Sequence, residues 1–399
     1  METASISASY PAAETPSATQ PAVIARRVPW YCTAVVFAAT CILVGIVWDI
    51  SWHETIGRDT FWTPAHICIH LGGSLGGLVC GWLVLKTTFY GTDAERGAAV
   101  RVWGFRGPLG AWVTIWGALA LLASAPFDNW WHSAYGLDVK ILSPPHSVLA
   151  AGMYFIVFGG LLQVLGLQNR ASADGGTAGR WLYVFMGGIL LTMASVMIME
   201  RTFPNAQHAG DFYRTTMVVF PFFIFMTARP ARVPMPATTV TALYMLFMGL
   251  AVWVLPLFPG EPKLGPIYHP VTRMVPPAFP MLLVVPALGI DLSMAMLGRG
   301  RAWWRDALIV LMGGTLFAAI FGLVQWHFSK FLLSPAADNW FFVGGRHWPF
   351  SANPEWFHRF WRTEADALNL SAMAKVWGFA LVSSALGLLT GSGMARVKR

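Results

Sequence analysis

Charged residues are scarce: only 12% of the 399 residues are Asp, Glu, Lys or Arg. Soluble domains carry about a quarter, so an ordinary soluble fold is excluded. Cysteine is scarce too. The four, Cys32, Cys41, Cys68 and Cys80, form no Cys-x-x-Cys pair, and neither a disulfide framework nor a thiolate metal cage is expected. No run of alternating apolar and polar residues suggests a barrel, which leaves helices as the way across a bilayer. No Ser-His-Asp arrangement or nucleotide motif stands out. The glycine runs LGGSLGGLVCG and FMGG read as helix-packing contacts, not phosphate loops. Residues 1–28 lack a basic start and an apolar stretch, and their Ala, Ser, Thr and Pro content reads as a disordered tail without a cleaved signal.

Apolar sequence is what the chain has in abundance, at 56% hydrophobic residues and a mean hydropathy of +0.55. Runs of about 20 apolar residues are long enough to cross a hydrocarbon core as helices. The fold expected is an all-α polytopic transmembrane bundle of ten spans, at 29–50, 63–85, 108–126, 144–168, 181–199, 212–228, 237–257, 276–297, 306–326 and 371–392. Arg26, Arg27 and the basic residues of alternate connections put both termini on the cytoplasmic side of a bacterial inner membrane. That distribution also accounts for the net charge of +8, and no nucleic-acid partner is expected. Under this threading all ten histidines lie in outer loops or at outer helix ends. Histidine avoids lipid, yet the inner loops hold none, which points to a functional cause.

Two stretches concentrate the polar chemistry: DISWHETIGRDTFWTPAH at 49–66 and DNWWHSAYGLDVKILSPPH at 128–146. Asp49, Trp52, His53, Gly57 and Asp59 match Asp128, Trp131, His132, Gly136 and Asp138 at identical offsets. Each stretch then reaches Thr-Pro or Ser-Pro, a helix start with a hydroxyl at the N-cap and proline at the first position. His66 and His146 therefore sit at the third position of a new helix. Asp49 and His53, four apart, share a face if the preceding helix continues, and His66 returns to them from the next helix. The positive end of that helix keeps the imidazole nitrogen free for a metal. Three ligands leave positions open for chemistry or exchange. Taken alone, the residues suit Cu, Zn, Fe or Ni, and interfacial aromatics with polar caps are the plainer reading of either stretch.

At these residues the chain resembles the C subunit of the particulate methane and ammonia monooxygenase superfamily. WHETIGRDTFWTPAH at 52–66 follows the family pattern W-H-x-T-I-x-R-D-T-x-x-T-P-x-H, and the second stretch is similar to the family's later x-W-x-H and P-x-H segment. The resemblance, over about residues 30–170, implies copper at Asp49, His53 and His66, with O2 activation for hydroxylation of a small apolar substrate entering from lipid. The family's second set, Asn, His, His, falls on Asp128, His132 and His146, where Asp128 adds a negative charge. The family subunit has several helices before its first motif and ends soon after the second. This chain has one helix before it and a six-span extension at 171–399, with a long outer loop at 327–370. The family enzyme also needs companion subunits, one with a cupredoxin-like domain that this chain lacks, so an oligomeric complex is expected. A non-enzymatic copper-binding or copper-transfer protein is the alternative.

Around these sets, Trp52 and Trp131 are expected to flank the metal and restrict water, and His70 to be an extra ligand or a hydrogen-bond partner. Asp59 and Asp138 are expected to orient an imidazole or to pair with Arg58 and Lys140. Glu200 is expected to pair with Arg201. The aromatics of 327–370 read as an interfacial helix or a lid.

Overall fold

A chain bathed in hydrocarbon must satisfy its own backbone groups, and each long apolar run here folds as a helix. The computed structural model describes residues 28–136, 143–170, 177–298, 302–361 and 366–398. The first hairpin pairs α1 (Trp30–Thr55) with α2 (Pro64–Tyr90). A short α3 (Asp93–Gly97) and a two-stranded antiparallel turn, β1 (Val100–Val102) and β2 (Phe105–Gly107), return the chain to the second hairpin. That hairpin pairs α4 (Leu109–Tyr135) with α5 (Pro144–Arg170). The extension continues as α6 (Thr177–Met197), α7 (Gly210–Ala228), α8 (Pro236–Val254), α9 (Val284–Leu297), α10 (Trp303–Leu332) and α11 (Leu370–Met394).

Among the described residues, eight helices are long and apolar enough to cross a membrane: α1, α2, α4, α5, α6, α8, α10 and α11. The chain is thus an all-helical membrane protein. Of the two remaining expected spans, α9 has 14 residues, or about 21 Å. It starts at Val284 rather than 276 because Pro276, Pro277 and Pro280 hold the preceding segment extended. α7 has 19 residues but carries Asp211, Arg214 and an internal Pro221. Tail residues 1–27 lie outside the described residues.

The hairpins close on glycine. A Cβ added at Gly159 would meet the Gly110 carbonyl oxygen at 2.6 Å, and one at Gly117 would meet the Gly152 carbonyl oxygen at 2.7 Å. These four glycines are seven apart on each helix and pair in one antiparallel register, so α4 and α5 approach backbone to backbone. Such close packing drives helix association where lipid removes the hydrophobic drive between helices. Gly45 and Gly72 do the same for α1 and α2, facing the Ala65 and Ala38 carbonyls. α2 packs on α4 and α1 on α5, which makes a four-helix unit, and α6 joins it to the extension.

Connections from the extension grip the end of α1. The Ser51 hydroxyl donates to the Val275 carbonyl at 2.6 Å, and the Val275 N–H donates to Thr55 Oγ1 at 2.7 Å. The Lys263 N–H donates to the Ile56 carbonyl at 2.9 Å, and the Phe350 ring lies against Gly57. Asp291, the ionisable group inside α9, is buried and accepts the Ala237 and Thr238 N–H groups at 3.0 and 2.8 Å. It caps the positive end of α8, which is a structural role.

The outer segment departs from the sequence reading. Its described residues form short 3-10 turns at Pro335–Ala337, Gly344–His347 and Pro354–Trp356, with no interfacial α-helix among them. Aromatic stacking holds them: Trp348 lies on Phe203 and Phe357 with interplanar angles of 11° and 4°. His347 is sealed into this stack, donating Nδ1–H to the Gly344 carbonyl at 2.6 Å while Nε2 is buried without a partner. Burial pushes its pKa down to about 4. A base that refuses its proton only in the folded state costs stability once the unfolded chain takes that proton up. Stability is therefore expected to fall as pH drops from about 6.5 towards 4, by up to about 3 kcal/mol. Thermal unfolding of His347→Phe against pH should show a flatter slope across that window, and an unchanged slope would refute it.

Candidate metal centre

Both first helices run on past the lengths read from apolarity. α1 continues to Thr55, and α4 continues through Pro126 to Tyr135, so each Asp-x3-His pair lies on a single helical face. Each helix then breaks at a glycine of positive φ, Gly57 at 78° and Gly136 at 84°, a conformation glycine adopts without steric cost. The chain reverses and re-enters a helix at Pro64 or Pro144, which brings His66 to α1 and His146 to α4. Ser143 accepts the His146 N–H at 3.4 Å as an N-cap. Thr63 instead turns its hydroxyl backwards to accept the Thr60 N–H at 2.9 Å, so it ties the loop rather than the helix.

The first set gathers four donors. His66 Nε2 lies 3.0 Å from Asp49 Oδ1 and 3.3 Å from Asp59 Oδ2. His53 Nε2 lies 3.4 Å from Asp59 Oδ2 and 3.9 Å from Asp49 Oδ2. One donor atom from each of the four residues falls within 4.8 Å of every other. Asp59 thus joins Asp49, His53 and His66 directly, whereas the spacing argument placed it outside them or beside Arg58. The His53 contact holds the Asp59 carboxyl below its usual range. The His66 Nδ1 lies 2.9 Å from the Thr60 carbonyl, which fixes the ring with Nε2 aimed inward. An imidazole ligand is commonly oriented this way.

In the second set, Asp128 Oδ1 lies 3.4 Å from His132 Nε2 and 3.6 Å from His146 Nε2. His132 Nδ1 lies 2.9 Å from the Gly136 carbonyl, again leaving Nε2 to face inward. This set is wetter: the Asp128 side chain is 34% exposed against 16% for Asp49. Asp138 and Lys140 lie outside the described residues.

One feature is common to both sets. Asp49 Oδ1 and Asp128 Oδ1 are buried with no hydrogen-bond partner. In the 3.0 Å contact from His66 to Asp49, the imidazole whose Nδ1–H goes to the Thr60 carbonyl presents a bare Nε2 to the carboxylate. Buried carboxylate oxygens are ordinarily satisfied. Two orphaned oxygens at matching positions, each beside inward-facing imidazole nitrogens, fit a cation better than they fit each other.

Other expectations resolve differently. His70 rests against Phe61 at 5.2 Å and is outside the four-donor cluster. Trp52 ties α1 to the loop that follows it, its Nε1–H donating to the Arg58 carbonyl at 3.0 Å. Trp131 packs on Tyr135 at 4.5 Å within an aromatic group that includes Phe127 and Trp130. Arg201 pairs with Asp211 at 3.5 Å rather than with Glu200. His208, His269 and His358 have ring nitrogens 2.7 to 3.0 Å from backbone carbonyls, as structural histidines do. Comparison of the chain with protein-family models, with curated proteins and with solved structures returns no match.

Proposed function

We propose that the chain is a copper-binding integral membrane protein of the monooxygenase-C-like kind. In this reading it sits in the bacterial cytoplasmic membrane with ten spans, both termini inside and both metal sets facing out. It works in a complex with companion monooxygenase-type subunits that oxidises a small apolar substrate, a hydrocarbon or ammonia, with O2. The observation that carries the reading is the pair of orphaned Asp oxygens, each set against two imidazoles at the same place in its hairpin. Copper as such rests on the motif resemblance, since the donor atoms alone also suit Zn, Fe or Ni.

In this function Asp49, His53 and His66 hold the ion, and copper supplies the one-electron chemistry that amino-acid side chains lack. The Thr60 carbonyl orients His66 and the Gly136 carbonyl orients His132. The grip of Val275, Lys263 and Phe350 on the end of α1 keeps the first set in place. Asp128, His132 and His146 hold a second ion or tune the first.

Two observations favour the alternative, a copper-holding or copper-transfer protein without oxygenase activity. Asp59 supplies a fourth donor where chemistry calls for an open position. The apolar recess lined by Val47, Ile50, Val196, Met199 and Met248 also opens on a face of α1 away from Asp49 and His53, by helical periodicity. Mass-spectrometric metal analysis of the full chain, exchanged against equimolar copper and zinc, tests copper binding. About one to two copper ions per chain support it. Zinc in their place, or no metal after loading, defeats it. Oxygen consumption with companion subunits then separates the two readings.

A further inference from the structure

Asp59 stands on a loop while its fellow donors in the first set stand on helices. An ion bonded at 2.0–2.2 Å to four tetrahedral donors spaces them about 3.3–3.6 Å apart. Asp59 Oδ2 lies 3.3 and 3.4 Å from the two imidazole nitrogens, within that range, and the two oxygens of Asp49 lie 3.0 and 3.9 Å from them. Calcium takes six to eight oxygen ligands, whereas two of the four donors here are imidazole nitrogens. Two carboxylates and two neutral imidazoles also balance a divalent ion, and so favour M(II) over the softer Cu(I).

Asp59 is held from both sides. Its N-terminal neighbour Arg58 is fastened through its carbonyl to Trp52 Nε1 at 3.0 Å. Its C-terminal neighbour Thr60 is fastened twice, by its carbonyl to His66 Nδ1 at 2.9 Å and by its N–H to Thr63 Oγ1 at 2.9 Å. The loop is thus latched to both helices that carry the other ligands. Phe61 and Trp62 beyond it are exposed.

We infer that Asp59 is a fourth ligand which closes the first set into a four-coordinate M(II) site, and that Trp52 is the positioning residue that keeps it there. The inference rests on the metal-binding reading above. With the latch in place Asp59 holds a coordination position that a small exogenous anion can take once the latch is lost. The loop can give up Asp59 by breaking the Trp52 contact while His53 and His66 stay on their helices, so closure is reversible without unfolding.

Azide is the probe. The full chain is prepared in lipid nanodiscs with the second set removed by His132→Ala/His146→Ala, and loaded with Cu(II). In this parent, azide should bind more weakly than in the variant that lacks Asp59, as read from the electron paramagnetic resonance and absorption spectra. Asp59→Ala should still bind Cu(II), at least about 10-fold more weakly, and should gain an azide-to-copper charge-transfer band. Asp59→Asn serves as the second variant should alanine disturb the loop, with the same band expected. Trp52→Phe keeps the ring and removes the N–H; it should show partial azide binding with copper affinity reduced less than in Asp59→Ala. Azide binding to the parent as strong as to Asp59→Ala, or copper affinity unchanged in Asp59→Ala, overturns the inference and leaves the metal site standing. A parent that takes up no copper overturns the metal reading itself.

Discussion

Changing His53 and His66 together to alanine is expected to remove about one copper ion per chain, with at least a 100-fold loss of affinity at the first set. The second set should stay loaded. The reasoning is local. These two imidazoles supply the nitrogen donors facing Asp49 and Asp59, and two carboxylates alone make a weak, exchangeable copper site. The converse pair, His132→Ala/His146→Ala, should empty the second set and spare the first. Metal content by mass spectrometry, read beside circular dichroism to show that the helices persist, checks both. Copper unaffected by either pair would end the site assignment, and parallel loss from both would mean that the two sets form one site.

The largest effect on stability is expected from Gly159→Val. Its Cβ would stand 2.6 Å from the Gly110 carbonyl and the Thr114 backbone N, and would also meet Thr114 Oγ1. Backbone atoms cannot step aside as a flexible side chain does, so α4 and α5 must separate and their packing is lost along the seam. Overpacking typically costs about 1–3 kcal/mol, and a clash against backbone belongs at the top of that range or above it. Gly322→Ala is the control. Its Cβ meets nothing within 4 Å, and alanine should stabilise α10 by about 0.5–1 kcal/mol. Thermal melts in detergent that rank the two variants alike would remove the glycine seam from the account of the fold.

Much of this was legible in the sequence. The apolar runs located the helices, with ends off by as much as nine residues at α4, and four-residue spacing put Asp49 and His53, then Asp128 and His132, on shared faces. Helix ends were less legible, because apolarity stops before the backbone does. Four of residues 51–55 are polar, yet the stretch remains helical, with Ser51 and Thr55 bonded to Val275, a partner more than two hundred residues away. Asp59 escaped for a related reason. Spacing rules place ligands on regular elements, whereas the position of Asp59 depends on a left-handed Gly57 and on latches from Trp52 and His66. The β-turn at Trp103 and Gly104, both at positive φ, went unread although it carries the signature of a tight hairpin connection. The outer aromatics looked like one amphipathic helix because their spacing says nothing about which rings stack on which.

The two motif-bearing hairpins have a further consequence. Each unit consists of two long helices, and α3 with its small sheet brings the chain back to begin the next one. Tandem copying of a unit with an even number of crossings preserves its polarity, whereas copying an odd number inverts it, as in inverted-repeat transporters. A duplication of this kind would leave ancestral and daughter sites open to the same compartment, drawing on one metal pool and within reach of one electron donor. The daughter could then drift, losing burial around Asp128, while its sister kept the buttress of the extension.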